Sequence, residues 1–508
     1  MFTAEDKKVI DHLGISENAI EKQLSQFRKG FPPLAIVKNV SEGDGIHKIK
    51  DNDQQELMKL YEEACQGLDV QKFVPASGAA SRMFKALYAF LSDDNAVPAD
   101  HPDVAEFMDG LENFAFYEDL SKAAASHGKN LDELKAKGEY HTILHYLLDE
   151  DGLNYGFLPK GLIKFHQYDT YSRTAAEEHL VEAAQYAVSR NRQVYLHFTV
   201  SPQHRELFRD HLNEVREKYE KEYNVTYHIE YSEQDPSTNT IAVDFQNEPF
   251  RDDEGQLLFR PAGHGALLSN LNQLDSDIVL IKNIDNVVPD HLKHETEVYK
   301  KLLGGLLVRY QRKIFSFIEA LEMQDEPSDE FIAGVVKFLK EEVFYEVSPD
   351  FSNQGNSSKR NLLLHILNRP IRICGMVVNT GATGGGPFWV ENEDGSRSLQ
   401  IVETAQMDMN DPKVKALLAG ANYFNPVDVV CGLKDHQGKP FDLMKYRDEN
   451  TGIITEKSLG GRDLKALELP GLWNGSMSDW LTVFMEVPEI TFNPVKSVVD
   501  LLKPTHQK

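Results

Sequence analysis

Residues 73–83 read FVPASGAASRM, an apolar run followed by a turn made of small residues. The apolar run predicts a β-strand, and Ser81 and Arg82 stand at the predicted start of the helix that follows. Small residues allow a phosphate group to approach the backbone N–H groups closely, and a helix N-terminus adds a partial positive charge. The pattern therefore predicts a strand, loop and helix that bind an anion. A tight connection without a ligand is the alternative interpretation.

The composition limits the classes of protein that fit this chain. Its 508 residues exceed what one hydrophobic core usually supports, which predicts one large elaborated domain or two to three units. Lys and Arg number 54 against 80 Asp and Glu, a formal net charge of −26. Such a charge argues against a nucleic acid partner, because non-specific binding of DNA or RNA depends on neutralising phosphates. An anionic substrate would instead require local cations or a metal ion.

The cysteines and the apolar runs bear on the compartment. Cys65, Cys374 and Cys431 are far apart and form no Cys-x-x-Cys motif, which argues against a disulfide scaffold and a zinc site. The first residues do not follow a secretory pattern, and no apolar run approaches the roughly 18 residues of a membrane span. We therefore expect a cytoplasmic protein without a membrane partner; the sequence indicates no oligomeric state.

The middle of the chain alternates between helical and strand patterns. Predicted helices over 172–189 and 203–223 are each followed by a predicted strand, over 193–200 and 225–231. This alternation predicts an α/β fold with a mostly parallel mixed sheet and helices on both faces. Sheets of this kind bind ligands at the carboxyl ends of their strands.

Residues 277–284 form a nearly continuous apolar run that ends at Asp285. The run predicts a strand buried on both faces, and a carboxylate at its exit is well placed to hold Mg²⁺ together with phosphate oxygens. A simple Asn/Asp turn is the alternative. A long helix is predicted over 291–323, interrupted at Gly304-Gly305.

Three further segments have features of a binding site. Pro159 and Gly161 place Lys160 on a bend, although a solvated lysine would fit as well. Residues 260–268 form a second loop of small residues. The triple glycine at 384–386 precedes two aromatic residues, which suits either a sugar ring pressed against backbone or a hairpin bend.

The predicted organisation has three regions. Residues 1–68 form an N-terminal helical arm, residues 69–435 a catalytic domain with a helical insert at about 95–150, and residues 436–508 a C-terminal extension.

In their order along the chain, these segments resemble the motifs of sugar nucleotidyltransferases, the UDP-sugar pyrophosphorylases with a glycosyltransferase-A-like, Rossmann-like fold. The resemblance runs from about residue 71 to 435 and rests on order, because each motif alone is weak. The matching segments are residues 74–83 for the nucleotide loop, 159–160 for the Pro-Lys motif, 260–267 for the uracil loop, 284–286 for the metal-binding aspartate, and 384–390 with 400–403 for the sugar pocket. The whole chain also resembles a family catalogued as a domain of unknown function.

This resemblance implies transfer of a nucleotidyl group from an NTP, with UTP favoured, to a sugar 1-phosphate, with Mg²⁺ as cofactor and release of pyrophosphate. It also implies roles for individual residues: Arg82, Lys160 and Asp285 are catalytic; Ala76, Ser77, Gly78, Ala79, Ala80, Ser81, Gly263, His264 and Gly265 bind the nucleotide; Gly385, Gly386 and Glu403 bind the sugar; Asp285 and Asp428 bind the metal, with Asn425 as a further candidate ligand.

Two departures from the motifs leave other functions open. Ala80 stands where the family usually has a glycine, and Lys160 lies far beyond Arg82, so that Lys85 is an alternative cation. A nucleotide- or nucleotide-sugar-binding protein without catalysis therefore remains an alternative. A glycosyltransferase that uses an NDP-sugar is another, although Asp285-Asn286 is not the Asp-x-Asp site that it would favour.

Overall fold

A computed structural model describes residues 2–78, 80–93, 96–381 and 385–508. The chain divides into two compact units, each built from three segments. Unit 1 comprises Met1–Ala64, Gln234–Leu280 and Lys301–Val487, and unit 2 comprises Cys65–Glu233, Ile281–Lys300 and Pro488–Lys508. The predicted domain bounds stay a prediction. No helix within the described ranges is long and apolar enough to cross a membrane.

The α-helices lie throughout the chain. They are α1 (Ala4–Leu13), α2 (Glu17–Lys29), α3 (Asp51–Ala64), α4 (Lys85–Leu91), α5 (Pro102–Asp109), α6 (Tyr117–Ser126), α7 (Leu131–Lys137), α8 (Tyr140–Leu148), α9 (Ala175–Tyr186), α10 (Arg205–Tyr223), α11 (Leu268–Leu271), α12 (Lys293–Glu322), α13 (Asp329–Phe338), α14 (Asn356–Leu367) and α15 (Pro412–Ala419).

The strands are mostly short. They are β1 (Ile36–Asn39), β2 (Ser41–Glu42), β3 (Gly45–His47), β4 (Val70–Pro75), β5 (Lys164–Gln167), β6 (Ser172–Thr174), β7 (Val188–Ser189), β8 (Gln193–Thr199), β9 (Thr226–Ser232), β10 (Thr240–Ile241), β11 (Phe259–Arg260), β12 (Ile278–Lys282), β13 (Ile371–Val378), β14 (Gly386–Glu391), β15 (Arg397–Val402), β16 (Tyr423–Gly432), β17 (Ile453–Leu459), β18 (Arg462–Glu468) and β19 (Leu481–Glu486).

The strand pairings within each unit confirm the predicted class, an α/β fold with a mixed and mostly parallel sheet. In unit 2, β4 and β9 both run parallel to β8, and β7 runs antiparallel to it. In unit 1, β13 and β3 run parallel to β19, while β16 runs antiparallel to β13. The predicted strands at 193–200 and 225–231 are β8 and β9, and the predicted insert contains α5 to α8.

Helix α9 shows how local sequence sets an element boundary. Its N-cap Thr174 accepts a hydrogen bond from the Glu177 N–H, and the Glu177 carboxylate accepts one from the Thr174 N–H. This reciprocal capping box satisfies two backbone donors that the first turn leaves without helical partners. Almost all of α9 is buried, including the side chains of Glu178, His179 and Glu182, which are therefore paired with cations or hydrogen-bonded.

The predicted interruption of the long helix is wrong. Helix α12 continues through Gly304 and Gly305. A Cβ on Gly304 would lie 2.4 Å from the ring of Tyr61, and one on Gly305 would lie 2.1 Å from the carbonyl oxygen of Leu57. The two glycines therefore permit close packing of α12 against α3, which compensates for their low helix propensity.

Candidate functional site

In unit 2, the loop after β4 is bonded to the segment that carries Lys160. The Lys160 N–H donates to the Gly78 carbonyl at 3.4 Å, and the Ala80 N–H donates to the Leu158 carbonyl at 3.3 Å. Ser77 and Gly78 are exposed, and apart from the residues adjacent in the chain no described residue has an atom within 4 Å of the position of a Cβ on Gly78. The predicted nucleotide loop and the predicted Pro-Lys motif are thus neighbours, with open space on one side.

The helix after this loop begins later than predicted. Residues Ala80–Arg82 form a 3₁₀ turn, and the α-helix begins at Lys85. Met83 and Phe84, which lie between the turn and the helix, are buried. The prediction that Ser81 opens the helix is therefore wrong, and a helix N-terminus does not contribute its charge there. Arg82 and Lys85 are both exposed.

Lys160 and Asp285 form an ion pair in unit 2. The Lys160 Nζ donates to the Asp285 Oδ2 at 2.9 Å and to the main-chain carbonyl of Val495 at 2.7 Å. The two charged side chains are 15% and 19% exposed, so the pair is shielded but still reachable by a ligand. The structure brings together two of the three predicted catalytic residues, and their roles stay a prediction.

A residue of helix α9 forms a hydrogen bond with the turn that carries Asp285. The His179 Nε2 lies 3.2 Å from the carbonyl oxygen of Ile284. Burial, and secondarily the charge of Lys72, keeps the pKa of His179 well below its usual value, so the ring is neutral and donates from Nε2. This bond fixes the backbone one residue before the carboxylate.

Two buried lysines share one glutamate near the ends of β4 and β12. The Glu182 carboxylate accepts from Lys72 at 2.8 Å and from Lys282 at 2.7 Å. All three side chains are almost completely buried. Burial lowers the pKa of Lys72 to about 7, although Glu182 opposes this. Burial alone would raise the pKa of Glu182, but Lys282 and Lys72 hold it well below its usual value.

In unit 1, His264 is oriented by two contacts. Its Nδ1 accepts a hydrogen bond from the Leu472 N–H at 2.9 Å, and its ring stacks on Trp473 with centroids 4.1 Å apart and planes 11° apart. Burial lowers the pKa of His264 to about 4, so the ring is neutral near pH 7. Because Nδ1 is an acceptor, the proton is on Nε2, which lies 3.9 Å from the Glu403 Oε1.

Glu403 has an unusual environment for a carboxylate. The Asn474 amide group donates to its Oε1. Burial raises the pKa of Glu403; the Asn474 hydrogen bond opposes this, and the charge of Glu468 adds to it. The other atom of the amide, the Asn474 Oδ1, is buried and has no hydrogen-bond partner among the described residues. It lies 3.7 Å from the position of a Cβ on Gly385, so a hydroxyl donor near this loop would satisfy it.

We call Glu403, His264, Trp473, Asn474 and Gly385 the glutamate cluster. Sequence reasoning named the first two and Gly385. It did not name Asn474 or Trp473, and Trp473 is half-buried. The available signal was local: a tryptophan next to the polar residues and glycine of the segment WNGS, residues 473–476.

Packing explains two of the predicted ligand-contacting glycines. A Cβ on Gly265 would lie 2.1 Å from the Pro470 carbonyl oxygen, and one on Gly385 would lie 2.9 Å from the Ile401 side chain. These glycines are therefore needed for close packing whether or not they contact a ligand. Gly386 begins β14, and Gly263 has a left-handed φ of +74°.

A strained bulge supports the glycine loop. The Asn425 N–H donates to the Gly385 carbonyl at 3.0 Å, and the Asn425 Oδ1 accepts from the Val427 N–H at 3.0 Å. Val427 has φ of +57°, which a β-branched residue rarely adopts. Such strain persists only where the surrounding structure enforces it, and it is frequent at functional sites.

The predicted metal ligands belong to different units. Asp285 lies in unit 2, whereas Asp428 is buried on β16 of unit 1, opposite Gly375. Within the described ranges, no three His, Cys, Asp or Glu side chains are grouped so that they could hold a metal ion. Mg²⁺ bound with phosphates usually takes one or two carboxylates and completes its coordination with substrate oxygens and water, an arrangement that a single aspartate such as Asp285 would fit. Of the remaining predicted contacts, Ala76 is buried at the end of β4, and Ala79 lies outside the described residues.

The chain belongs to the family described as a domain of unknown function (DUF4301), whose model matches residues 3–507. No curated protein matches it. Among solved structures it is similar to the UDP-glucose pyrophosphorylase from Leishmania major, with 13% identity, coverage of 99% of this chain and 79% of that one, and a TM-score of 0.46. It is also similar to the uridine diphosphate N-acetylglucosamine pyrophosphorylase from Trypanosoma brucei, with 12% identity, coverage of 98% and 79%, and a TM-score of 0.46. At these values the likeness assigns no activity to this chain.

Proposed function

We propose that this protein transfers a nucleotidyl group from an NTP, with UTP favoured, to a sugar 1-phosphate and releases pyrophosphate. The observation that supports this best is the ion pair of Lys160 and Asp285 beside the exposed loop at Ser77 and Gly78. A cation held next to open backbone suits a polyphosphate, and a carboxylate in the same place suits its metal ion.

In this reaction an oxygen of the sugar phosphate attacks the α-phosphorus of the NTP, and the bond to the β-phosphate oxygen breaks. No side chain serves as nucleophile, so positioning and charge stabilisation supply the catalysis. Lys160 would bind the phosphate oxygens whose negative charge grows in the transition state, and the exposed Arg82 would bind the outer phosphates. Asp285 would hold Mg²⁺, and the ion would neutralise phosphate charge; metal binding by Asp428 stays a prediction.

The glutamate cluster of unit 1 would bind the sugar and the base. Glu403 would accept hydrogen bonds from sugar hydroxyls, and the unpartnered Asn474 Oδ1 would accept one more. Neutral His264, flanked by Gly263 and Gly265, contacts the base by resemblance to the uracil loop. We expect small-molecule partners only, in the cytoplasm.

The test is pyrophosphate release in the presence of Mg²⁺ from a panel of NTPs and sugar 1-phosphates. We expect release with one preferred pair, and a loss on the order of 10²- to 10³-fold in Lys160→Ala and Asp285→Ala. Lys164→Ala is the matched control, because Lys164 pairs with Asp119 instead. Equal activity in Lys160→Ala and Lys164→Ala would contradict the assigned role of Lys160.

A binding protein without catalysis is the second candidate. The late start of the helix at Lys85 favours it, because the loop lacks the positive charge of a helix N-terminus at Ser81. Calorimetry distinguishes the two: tight binding of UTP or a UDP-sugar, with no pyrophosphate release from any pair, would support the binding protein. We find no observation that favours a glycosyltransferase.

A further inference from the structure

The last segment of unit 2, Pro488–Lys508, contacts the elements that carry the candidate catalytic residues; we call it the strap. The Val498 N–H donates to the carbonyl of Met83, the last residue of the nucleotide loop, at 3.1 Å. The Val495 N–H donates to the Asp285 carbonyl at 3.2 Å, and the Val495 carbonyl accepts from the Lys160 Nζ at 2.7 Å. One residue of the strap therefore binds both members of the ion pair.

Asn286 anchors the strap beside these contacts. Its Nδ2 donates to the Thr491 carbonyl at 3.2 Å, and its Oδ1 accepts from the Asn493 N–H at 2.8 Å. The Asn286 side chain is buried, so loss of either bond would leave a polar strap group without its partner. Since Asn286 directly follows Asp285, the anchor and the carboxylate share one turn.

The far end of the strap is also attached. The His506 ring stacks on the His166 ring with centroids 5.3 Å apart. The His506 Nδ1 lies 3.0 Å from the His166 Nε2. Val495, Val498 and Leu501 are buried. The strap is therefore packed at both ends, and Val495 is held in a defined position between them.

We propose that the strap helps to position Lys160 for catalysis and that Asn286 is a positioning residue for Lys160. This proposal rests on the proposed function. A lysine ammonium has three N–H donors. Asp285 and the Val495 carbonyl take two of them, and their directions aim the third. The strap thus holds the ammonium ready for a phosphate oxygen, and Asn286 keeps the strap in place.

The test compares Asn286→Ala with Asn493→Ala. The second variant is a matched control, because among the described residues the Asn493 side chain bonds only to the Ile490 carbonyl, within the strap. Acylation of lysines followed by mass spectrometry reports directly on Lys160. We expect its labelling rate to rise roughly tenfold in Asn286→Ala, as for the loss of one charge-assisted hydrogen bond, and to stay unchanged in the control.

Kinetics add a readout that general loosening of the fold would not reproduce. We expect kcat of Asn286→Ala to fall roughly 10- to 100-fold while KM for the NTP changes little. If Asn286→Ala does not fold, the near-isosteric Asn286→Asp keeps the acceptor for the Asn493 N–H, loses the donor to Thr491, and should show a smaller rise in labelling.

Unchanged labelling of Lys160, or an equal rise in both variants, would overturn the proposal. If the wild-type protein releases no pyrophosphate from any pair, the proposed function fails, but the labelling experiment still decides whether the strap positions Lys160.

Discussion

Replacement of Glu182 by glutamine tests the buried charges behind the candidate site. Glu182 is the carboxylate that Lys72 and Lys282 share, and all three side chains lie away from solvent. Glutamine keeps the shape but leaves two buried ammonium groups without a counter-charge. Breaking a buried ion pair in this way costs about 3–5 kcal/mol, and we expect the melting temperature to fall by roughly 10 °C near neutral pH.

The pH dependence of this loss identifies its cause. Burial already lowers the pKa of Lys72 to about 7, against 10.5 in an exposed lysine, and removal of Glu182 lowers it further. A lysine with a depressed pKa destabilises the fold while it is protonated; this penalty begins to fall as pH rises through the folded-state pKa and is gone only above the unfolded-state pKa. In E182Q that relief begins below about pH 7, earlier than in the wild type. The stability deficit of E182Q should therefore be largest near pH 5.5, shrink toward pH 7 and remain constant above it.

Thermal unfolding followed by circular dichroism at several pH values measures both effects. Glu217→Gln is the matched control, because Glu217 forms an exposed pair with Lys221 on α10 and should cause no measurable change. The reasoning would be refuted if E182Q were as stable as the wild type, or if its deficit were the same at pH 5.5 and pH 8.5.

Three further results are expected. In a pH titration by NMR, the His264 ring should titrate near pH 4, because burial disfavours its charged form; a midpoint near 6.5 would place the ring in water instead. Gly265→Ala should lower the melting temperature, because its Cβ would lie 2.1 Å from the Pro470 carbonyl oxygen, whereas Gly78→Ala should leave it unchanged, because its Cβ would meet open space. Asn474→Ala should weaken nucleotide-sugar binding roughly tenfold in calorimetry, and unchanged affinity would remove Asn474 from the site.

Some predictions failed for reasons that local sequence could not reveal. The helix after the nucleotide loop was expected at Ser81, because capping residues and small residues there are typical of a helix start. In the structure Ala80–Arg82 form a 3₁₀ turn, whose Ala80 N–H bonds to the distant Leu158 carbonyl, and the α-helix begins only at Lys85. Likewise, Gly304-Gly305 predicts a helix break from sequence alone. In the structure α3 packs so closely against these two positions that there is no room for a side chain.

The sequence by itself determined the features that depend on residues a few positions apart in the chain. Burial and alternation within a strand and small residues in a turn act over a few positions, so β4, β8 and β9 could be read from residue types. The predicted helix over 172–189 was three residues too long at each end, because residues 172–174 and 188–189 pair as strands β6 and β7. The carboxylate at the exit of β12 and the lysine after Pro159 were found in the same way.

Only the tertiary structure decided which of these residues meet. The Asn474 amide reaches Glu403, the Leu472 N–H fixes the proton of His264, and the Val495 carbonyl holds Lys160, each across a long stretch of sequence. Contacts of this kind depend on the packing of whole elements rather than on local propensity, and a pattern of residue types contains no distance between segments. For this reason Lys160 and Asp285 could be identified from the sequence, whereas their ion pair and the contact of the strap with both residues are seen only in the fold.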